Sequence, residues 1–310
     1  MLADKNGPEA LIALADALGI RDRDGAGLLG IPAFTNTRGL TEIGFQPFAG
    51  KGGLNTGAMR AAKLRAYWLH AVDPLTQLPG RDQWGEALGG AGIVAHAKLL
   101  TDGLREHATV IFPLEAAAER EGTLTHFDGR LQRLRQAISR PGEVRPGWQV
   151  FAELGKRLGI DIDVFAGPIV SKQIFDAIPF YGDVTLDVIG GKGTRWPERE
   201  AASKWPSKKL GAPGATKPMP AANGKLRLGT YSSVWDAPEV EASPALAFLT
   251  PTARVELSPA DAERLKLVNG ARALVGGTEA KVVLRDAVPQ GSVFLEGNAV
   301  ADGLVEVKPA

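Results

Sequence analysis

Short apolar runs alternate with helical patterns along the first half of the chain. The runs are bounded by turn residues and stand at positions 28–34, 64–72, 92–100 and 108–114. Such runs are typical of parallel strands that are covered on both faces. Because strands that alternate with helices indicate βαβ units, residues 1–160 are predicted to form an α/β domain with a doubly wound, mostly parallel sheet.

Two helices of this domain can be placed from their spacing. Leu11, Leu14 and Leu18 follow a helical period and predict an amphipathic helix where the chain opens. The opening lacks the charged-then-apolar layout of a signal peptide, and we expect the domain to be N-terminally incomplete. A second helix is predicted around residues 147–159, with Gly159 as its stop signal.

The composition changes over residues 161–224. After a short helix at 171–178, the sequence is rich in Pro and Gly and has little periodicity, which predicts an extended connection. Trp196 and Trp205, each followed by Pro, are candidates for anchors that hold such a strap on a globular surface. Partial disorder is the alternative, and the sequence does not decide between them.

From Lys225 to the end, short runs of alternating character are separated by turn signals. This pattern predicts a small β-barrel or sandwich over residues 225–310. Within it, Ser258 is a natural N-cap and Pro259 occupies the favoured first position of a short helix.

The composition excludes several kinds of site. The chain has no Cys, so disulfides, thiolate-bound iron–sulfur clusters and Cys-type zinc sites are impossible within it. Lys and Arg number 36 against 35 Asp and Glu, which gives no electrostatic signal for nucleic acid. No apolar run reaches about 18 residues, and no direct membrane insertion is expected.

Three candidate features remain, each with a plainer alternative. Asp73-Pro74 follows the second predicted strand, at the sheet edge where α/β proteins usually bind ligands. Asp-Pro also commonly starts a turn, and a turn is the favoured interpretation. His126 is favoured as a surface loop residue over a catalytic base. The cluster Arg130, Arg133 and Arg135 suits an anion or a partner subunit, and a solvated basic face is its alternative.

Several motifs carry a resemblance to a known family. The order is Asp73-Pro74, the run 108–113, Glu121-Gly122-Thr123, Asp128-Gly129-Arg130, Gln132 and 146–148. In this order and spacing they resemble the molybdopterin oxidoreductase superfamily. Residues 36–47 (NTRGLTEIGFQP) and 229–259 are most similar to the C-terminal part of the large iron–sulfur subunit of respiratory complex I, the NADH–quinone oxidoreductase. Departures from the family pattern are His126 in place of Asn and Asp128 in place of Glu.

The resemblance implies α/β layers followed by a C-terminal double-psi β-barrel. In molybdopterin enzymes the matching turn and barrel bind molybdopterin guanine dinucleotide. Here the corresponding positions would be Asp73, Arg254 and Ser258, as vestiges of that site. The iron–sulfur clusters of the large complex I subunit lie on an upstream part that this chain lacks.

From the resemblance we expect a structural segment without a cofactor or catalytic residues of its own, supporting electron transfer from NADH to quinone. Its partners would be the other peripheral-arm subunits and a Cys-rich N-terminal half, at the cytoplasmic side of the plasma membrane. The alternative is a fragment of a molybdopterin-dependent oxidoreductase, similar to formate dehydrogenase, that binds the pterin dinucleotide.

Overall fold

A computed structural model describes residues 7–20, 23–32, 34–47, 52–78, 80–206, 222–296 and 303–310. The helices are α1 (Gly7–Ala17), α2 (Thr37–Glu42), α3 (Thr56–Ala61), α4 (Pro74–Gln77), α5 (Arg81–Gly89), α6 (Asp102–His107), α7 (Gly147–Arg157), α8 (Gly167–Ala177), α9 (Leu186–Ile189), α10 (Pro238–Glu241) and α11 (Pro259–Leu265). The strands are β1 (Ala66–His70), β2 (Gly92–Ala97), β3 (Val110–Pro113), β4 (Gly122–Thr125), β5 (Arg130–Leu134), β6 (Thr194–Arg195), β7 (Leu226–Tyr231), β8 (Arg254–Leu257), β9 (Arg272–Val275), β10 (Thr278–Leu284), β11 (Ser292–Glu296), β12 (Gly303–Val305) and β13 (Val307–Pro309). Short 3-10 helices lie at Ala117–Glu119, Pro179–Tyr181, Trp196–Glu198, Glu200–Lys204 and Ala247–Leu249.

The chain forms two compact units, and each is built from two separate stretches of sequence. The first unit comprises residues 1–55 and 114–219, and the second comprises residues 56–113 and 220–310. These units cut across the consecutive boundaries predicted from composition, because the strands at 66–113 group with the barrel sequence rather than with the rest of residues 1–160.

The second unit contains a three-stranded parallel sheet in the order β1-β2-β3. Its core consists of apolar side chains from β1, β2 and the connecting helices, among them Leu69, Trp84 and Ile93. Three of the four predicted parallel strands are therefore confirmed. The first is not: Leu28 and Ile31 are exposed, and no strand lies in the described residues between 23 and 47. Gly30 and Pro32 within that run disfavour a strand interior.

The same unit contains the predicted C-terminal barrel. Seven strands pair in the order β12-β7-β11-β8-β10-β9-β13 and form a nearly closed sheet. Two of the pairings, β11 with β7 and β10 with β8, are parallel, and the remaining four are antiparallel. Inward-facing Val255, Leu257, Val282 and Val293 are fully buried, so alternation along each strand builds the core.

The first unit contains the sheet β4-β5-β6 and a core that uses the segment predicted as an extended connection. Phe175, Phe180 and Trp196 pack there with Leu131 of β5. Residues 167–204 thus contain helices α8 and α9 and three 3-10 helices rather than an extended path. Trp196 is 4% exposed and Trp205 stacks on it with ring centroids 5.1 Å apart, so these aromatic rings hold the segment in place.

Two other helices follow their sequence signals in part. Helix α7 covers the predicted position, and Gly159 has a φ of 80°, which suits a residue that stops a helix. Helix α1 is also present, but Ala15 is its buried residue, whereas Leu14 and Leu18 are more than half exposed. The leucine spacing therefore predicts the helix but not its buried face.

Candidate functional site

Asp73 lies at the C-terminal edge of the parallel sheet, and its polar atoms are used within the fold. Its Oδ1 accepts a hydrogen bond from the amide of Leu75 at 2.9 Å, which caps α4. Its Oδ2 accepts from Thr101 Oγ1 at 2.6 Å, and Thr101 in turn caps α6. The backbone amide of Asp73 donates to Gln77 Oε1. This geometry is that of a turn, which is the favoured interpretation of Asp73-Pro74.

A cavity of about 50 Å³ lies beside Asp73 at this edge. Its two charged side chains besides Asp73 are Lys98, which follows β2, and Glu239 of α10, and these form an ion pair. The hydrogen bond from Lys98 holds the pKa of Glu239 below its usual value. The ammonium group of Lys98 at this edge is therefore already neutralised by the carboxylate of Glu239.

Arg254 begins β8 and forms a two-point ion pair with Glu296 at the end of β11. The Nε–Oε2 and Nη2–Oε1 distances are 2.5 and 2.9 Å. The Glu296 side chain is 1% exposed, while that of Arg254 is 48% exposed. The hydrogen bond to Glu296 and its charge raise the pKa of Arg254. A bidentate pair of this kind fixes the guanidinium plane.

Ser258 follows β8 and caps α11, as predicted. Its Oγ accepts from the amide of Asp261 at 3.1 Å and donates to Asp261 Oδ2 at 2.9 Å. The same carboxylate accepts from the amide of Gly291 at 2.7 Å and from Arg264. Burial opposes ionisation of Asp261, but these hydrogen bonds outweigh it and lower the pKa of this carboxyl.

The surroundings of Arg254 form a compact polar network that the sequence did not reveal. Tyr231 donates to Glu256 Oε1 at 3.0 Å, and Arg285 pairs with the same oxygen at 2.7 Å. Burial and the hydrogen bond to Glu256 raise the pKa of Tyr231 to about 12. Strand register is the cause of this grouping, because Tyr231 pairs with Glu296 across β7 and β11.

The three predicted positions belong to different elements of the second unit. Arg254 and Ser258 stand at the two ends of β8, about 13 Å apart along the strand, and Asp73 follows β1 of the other sheet of the same unit. A pterin dinucleotide carries phosphates, which need free cations or amides as partners. Since Asp73, Arg254 and Ser258 are engaged in caps and an ion pair, they do not fit the binding role that the resemblance gave them.

The motif at residues 36–44 organises a second buried cluster, in the first unit. Glu42 accepts from Arg38 Nε at 2.7 Å, from Trp196 Nε1 at 3.0 Å and from Tyr181 Oη at 2.5 Å. Burial and the hydrogen bond to Glu42 raise the pKa of Tyr181. Arg38 also donates to the carbonyl of Phe127. The motif thus acts as a connector inside this unit.

His126 occupies an exposed loop, as its favoured interpretation predicts. Its Nδ1 lies 2.8 Å from Asp128 Oδ1, and Arg195 pairs with the other oxygen of Asp128. Slight desolvation opposes ionisation, but the hydrogen bonds from His126 and the amide of Arg130 hold the pKa of Asp128 below its usual value. The contacts of His126 are those of a turn.

Metal-binding groups and membrane-spanning helices are both lacking in the described ranges. Among the residues that the structure describes, no group of three or more His, Cys, Asp or Glu side chains is placed to hold a metal ion. None of the helices in those same ranges combines the length and apolar character that a membrane crossing requires.

Known proteins are similar to this chain over most of its length. Residues 9–157 match the family model described as Molybdopterin oxidoreductase. The chain is 24% identical to the NADPH-Fe(3+) oxidoreductase subunit alpha of Geobacter sulfurreducens, over 88% of this chain and 34% of that protein. It is 25% identical to a nitrate reductase of Klebsiella oxytoca, over 86% of this chain and 34% of that protein. The chain therefore spans about a third of the length of these curated relatives.

A solved structure supports the fold. Acetylene hydratase from Pelobacter acetylenicus superposes with a TM-score of 0.59, covering 86% of this chain and 44% of that one, at 14% sequence identity. At this identity the likeness concerns the fold alone. It agrees with a parallel sheet combined with a C-terminal barrel.

Proposed function

We propose, from the match of residues 9–157 to the molybdopterin oxidoreductase family model, that the chain is a bracing segment of a larger oxidoreductase, without a cofactor of its own. We further propose that this oxidoreductase is NADH–quinone oxidoreductase and that the segment is the C-terminal part of its large iron–sulfur subunit. Electron transfer would then take place on neighbouring chains or on other parts of the same protein.

The proposal rests on the contacts made by the three residues that the resemblance matched to pterin-binding positions. Arg254 is held by Glu296, Ser258 by Asp261, and Asp73 by Thr101. Each pair satisfies the polar atoms inside the fold, so the positions stabilise the second unit and offer little to a ligand. The absence of Cys from the sequence excludes thiolate-held clusters in this chain as well.

The assignment to the large subunit of complex I rests on the motif at residues 36–47. In the structure its Arg38 and Glu42 contact Phe127, Tyr181 and Trp196 of the same unit. In this proposal the motif stabilises the fold of the first unit and takes no part in a reaction. The proposed partners are the other peripheral-arm subunits and a Cys-rich N-terminal half, and the proposed location is the cytoplasmic side of the plasma membrane.

A second candidate is a fragment of a molybdopterin-dependent oxidoreductase that contributes to a pterin pocket. One observation favours it: a cavity does lie beside Asp73, at the sheet edge where α/β proteins bind ligands, with Lys98 in its wall. The curated relatives that carry names such as nitrate reductase and putative formate dehydrogenase agree with this family. Lys98, however, is paired with Glu239.

Co-expression with the proposed Cys-rich N-terminal half and the other peripheral-arm subunits tests the two candidates. We expect the full chain to co-purify with these partners and the complex to oxidise NADH with a quinone acceptor, while molybdenum stays far below one atom per chain by mass spectrometry. Lys98→Gln should leave this metal content unchanged. Near-stoichiometric molybdenum that is lost in Lys98→Gln, but kept in the exposed control Lys172→Gln, would instead establish the second candidate.

A further inference from the structure

A small cavity in the first unit lies between the β4-β5 hairpin and the first turn of α8. Its volume is about 110 Å³. The lining residues are Glu121, Gly122, Arg133, Leu134, Arg135, Gln136, Gly167, Pro168, Ser171 and Leu186. The space accommodates a few non-hydrogen atoms and is well below the roughly 300 Å³ at which pockets for drug-sized ligands begin.

The guanidinium groups of Arg133 and Arg135 in the wall of this cavity are free to bind a ligand. Arg133 belongs to β5 and Arg135 follows the end of that strand, and both residues line the cavity. Within the described part of the chain neither forms an ion pair or a side-chain hydrogen bond. Elsewhere in this unit Arg38, Arg140 and Arg145 are paired with carboxylates, which makes the unused pair distinctive.

Ser171 provides an independent observation. The residue is only 4% exposed, it lines the cavity, and its hydroxyl has no hydrogen-bond partner among the described residues. This hydroxyl is therefore free to bond a small molecule or water in the cavity. The hydroxyl is one turn beyond Gly167, at the end of α8 where the helix dipole is positive.

The charge of the wall selects the class of ligand. Glu121 is the third charged residue there, and its carboxylate lies close to Gly167, where an added Cβ would be 2.6 Å from Oε1. Two guanidinium groups and one carboxylate leave a net charge of +1. The wall therefore attracts an anion, and a carboxylate offers the guanidinium groups two oxygens in one plane.

We propose that this cavity binds one carboxylate group, held by Arg133 and Arg135 and by the hydroxyl of Ser171. The group is either a free small carboxylate or the side chain of an acidic residue on a partner chain, since both present the same planar fork to guanidinium donors. The proposal is independent of the chain's place in any electron-transfer complex.

Titration of the 15N-labelled full chain with sodium acetate at constant ionic strength tests it by NMR. The Nε–Hε signals of Arg133 and Arg135 should shift and saturate. Arg133→Gln and Arg135→Gln should each weaken acetate binding about fivefold, and Ser171→Ala should weaken it about twofold. Arg157→Gln, which removes an exposed arginine at the end of α7, is the matched control and should change nothing.

Glu121→Gln removes the one negative charge of the wall and should tighten acetate binding. Capped Ala-Glu-Ala, compared with capped Ala-Gln-Ala, distinguishes the sources: binding tighter than acetate assigns a protein side chain, and binding equal to acetate assigns the free anion. Acetate shifts that do not saturate, or that persist in both Arg133→Gln and Arg135→Gln, would overturn the proposal.

Discussion

The hydroxyl of Tyr181 donates to Oε2 of Glu42 at 2.5 Å, and this contact joins residues that are 139 positions apart in the sequence. Glu42 is 7% exposed and has two further donors, Arg38 and Trp196. Three donors around one buried carboxylate compensate its desolvation, so the contact fastens α2 to the aromatic core of the first unit.

Removal of the Glu42 carboxylate should therefore strongly destabilise the first unit. Glu42→Ala is expected to lower the free energy of unfolding by about 3–5 kcal/mol, because it leaves a cation and two donors without their acceptor. Glu42→Gln keeps one acceptor oxygen and should cost less. Urea unfolding measures both. The control Glu153→Gln breaks an exposed ion pair with Arg145 and should cost less than about 1 kcal/mol; equal losses would contradict the role of Glu42.

Gly39 is required beside this carboxylate for a steric reason. A Cβ there would lie 2.4 Å from Asn36 Oδ1 and 3.0 Å from Thr125 Oγ1, and Asn36 Oδ1 already accepts from the amide of Thr125. Gly39→Ala should lower the free energy of unfolding by about 1–3 kcal/mol. Gly85→Ala, in α5 with no atom within 4 Å of an added Cβ, should raise it by up to about 1 kcal/mol. Thermal and urea unfolding should show these opposite signs.

The pair Arg254–Glu296 can be tested as a structural element of the barrel. Arg254→Met leaves the buried Glu296 without its cation and should cost about 3–5 kcal/mol of unfolding free energy. The double variant Arg254→Met with Glu296→Met should lose less than Arg254→Met alone, because no uncompensated charge remains. A double variant that is as unstable as the sum of both single variants would show that the two residues act separately.

The free energy of unfolding at acidic pH should depend on the ionisation of the Asp261 carboxyl group. Its folded-state pKa lies below the usual value of 3.8, so the carboxylate contributes stability above that pH and loses it as the pH falls through the folded pKa. Asp261→Asn should flatten the dependence of unfolding free energy on pH below about 4. Ser258→Ala should flatten it partly and cost about 1 kcal/mol at neutral pH through loss of the N-cap. Ser203→Ala, at an exposed serine, is the control.

The sequence indicates the elements that have a regular period. The three apolar runs that became β1, β2 and β3 are bounded by turn residues, and the barrel strands alternate. The same reasoning misplaced residues 28–34, since an apolar run does not show whether neighbouring strands exist to cover it. Motif order predicted a likeness to the molybdopterin oxidoreductases, which the family model finds over residues 9–157, whereas the curated relatives do not single out the large subunit of complex I.

The polar clusters were beyond the reach of local patterns. Arg38 and Glu42 have helical i,i+4 spacing, but the other donors to Glu42 come from residues 139 and 154 positions later. Arg254 shows no sign in the sequence of its partner Glu296, 42 positions away. The core around Trp196 uses short 3-10 helices without a periodic signal. Tertiary contacts between such distant residues decide which polar groups are engaged.

The division of each unit into two stretches has a consequence for biosynthesis. A ribosome that has released residue 219 has delivered both stretches of the first unit, but the second unit still lacks all of its barrel strands. The parallel sheet, which is made earlier, must therefore wait until the barrel strands of residues 220–310 have been synthesised before its unit can fold completely. During that interval its apolar side chains lack part of their cover and favour binding to chaperones, and a pause in synthesis before the barrel strands would prolong this state.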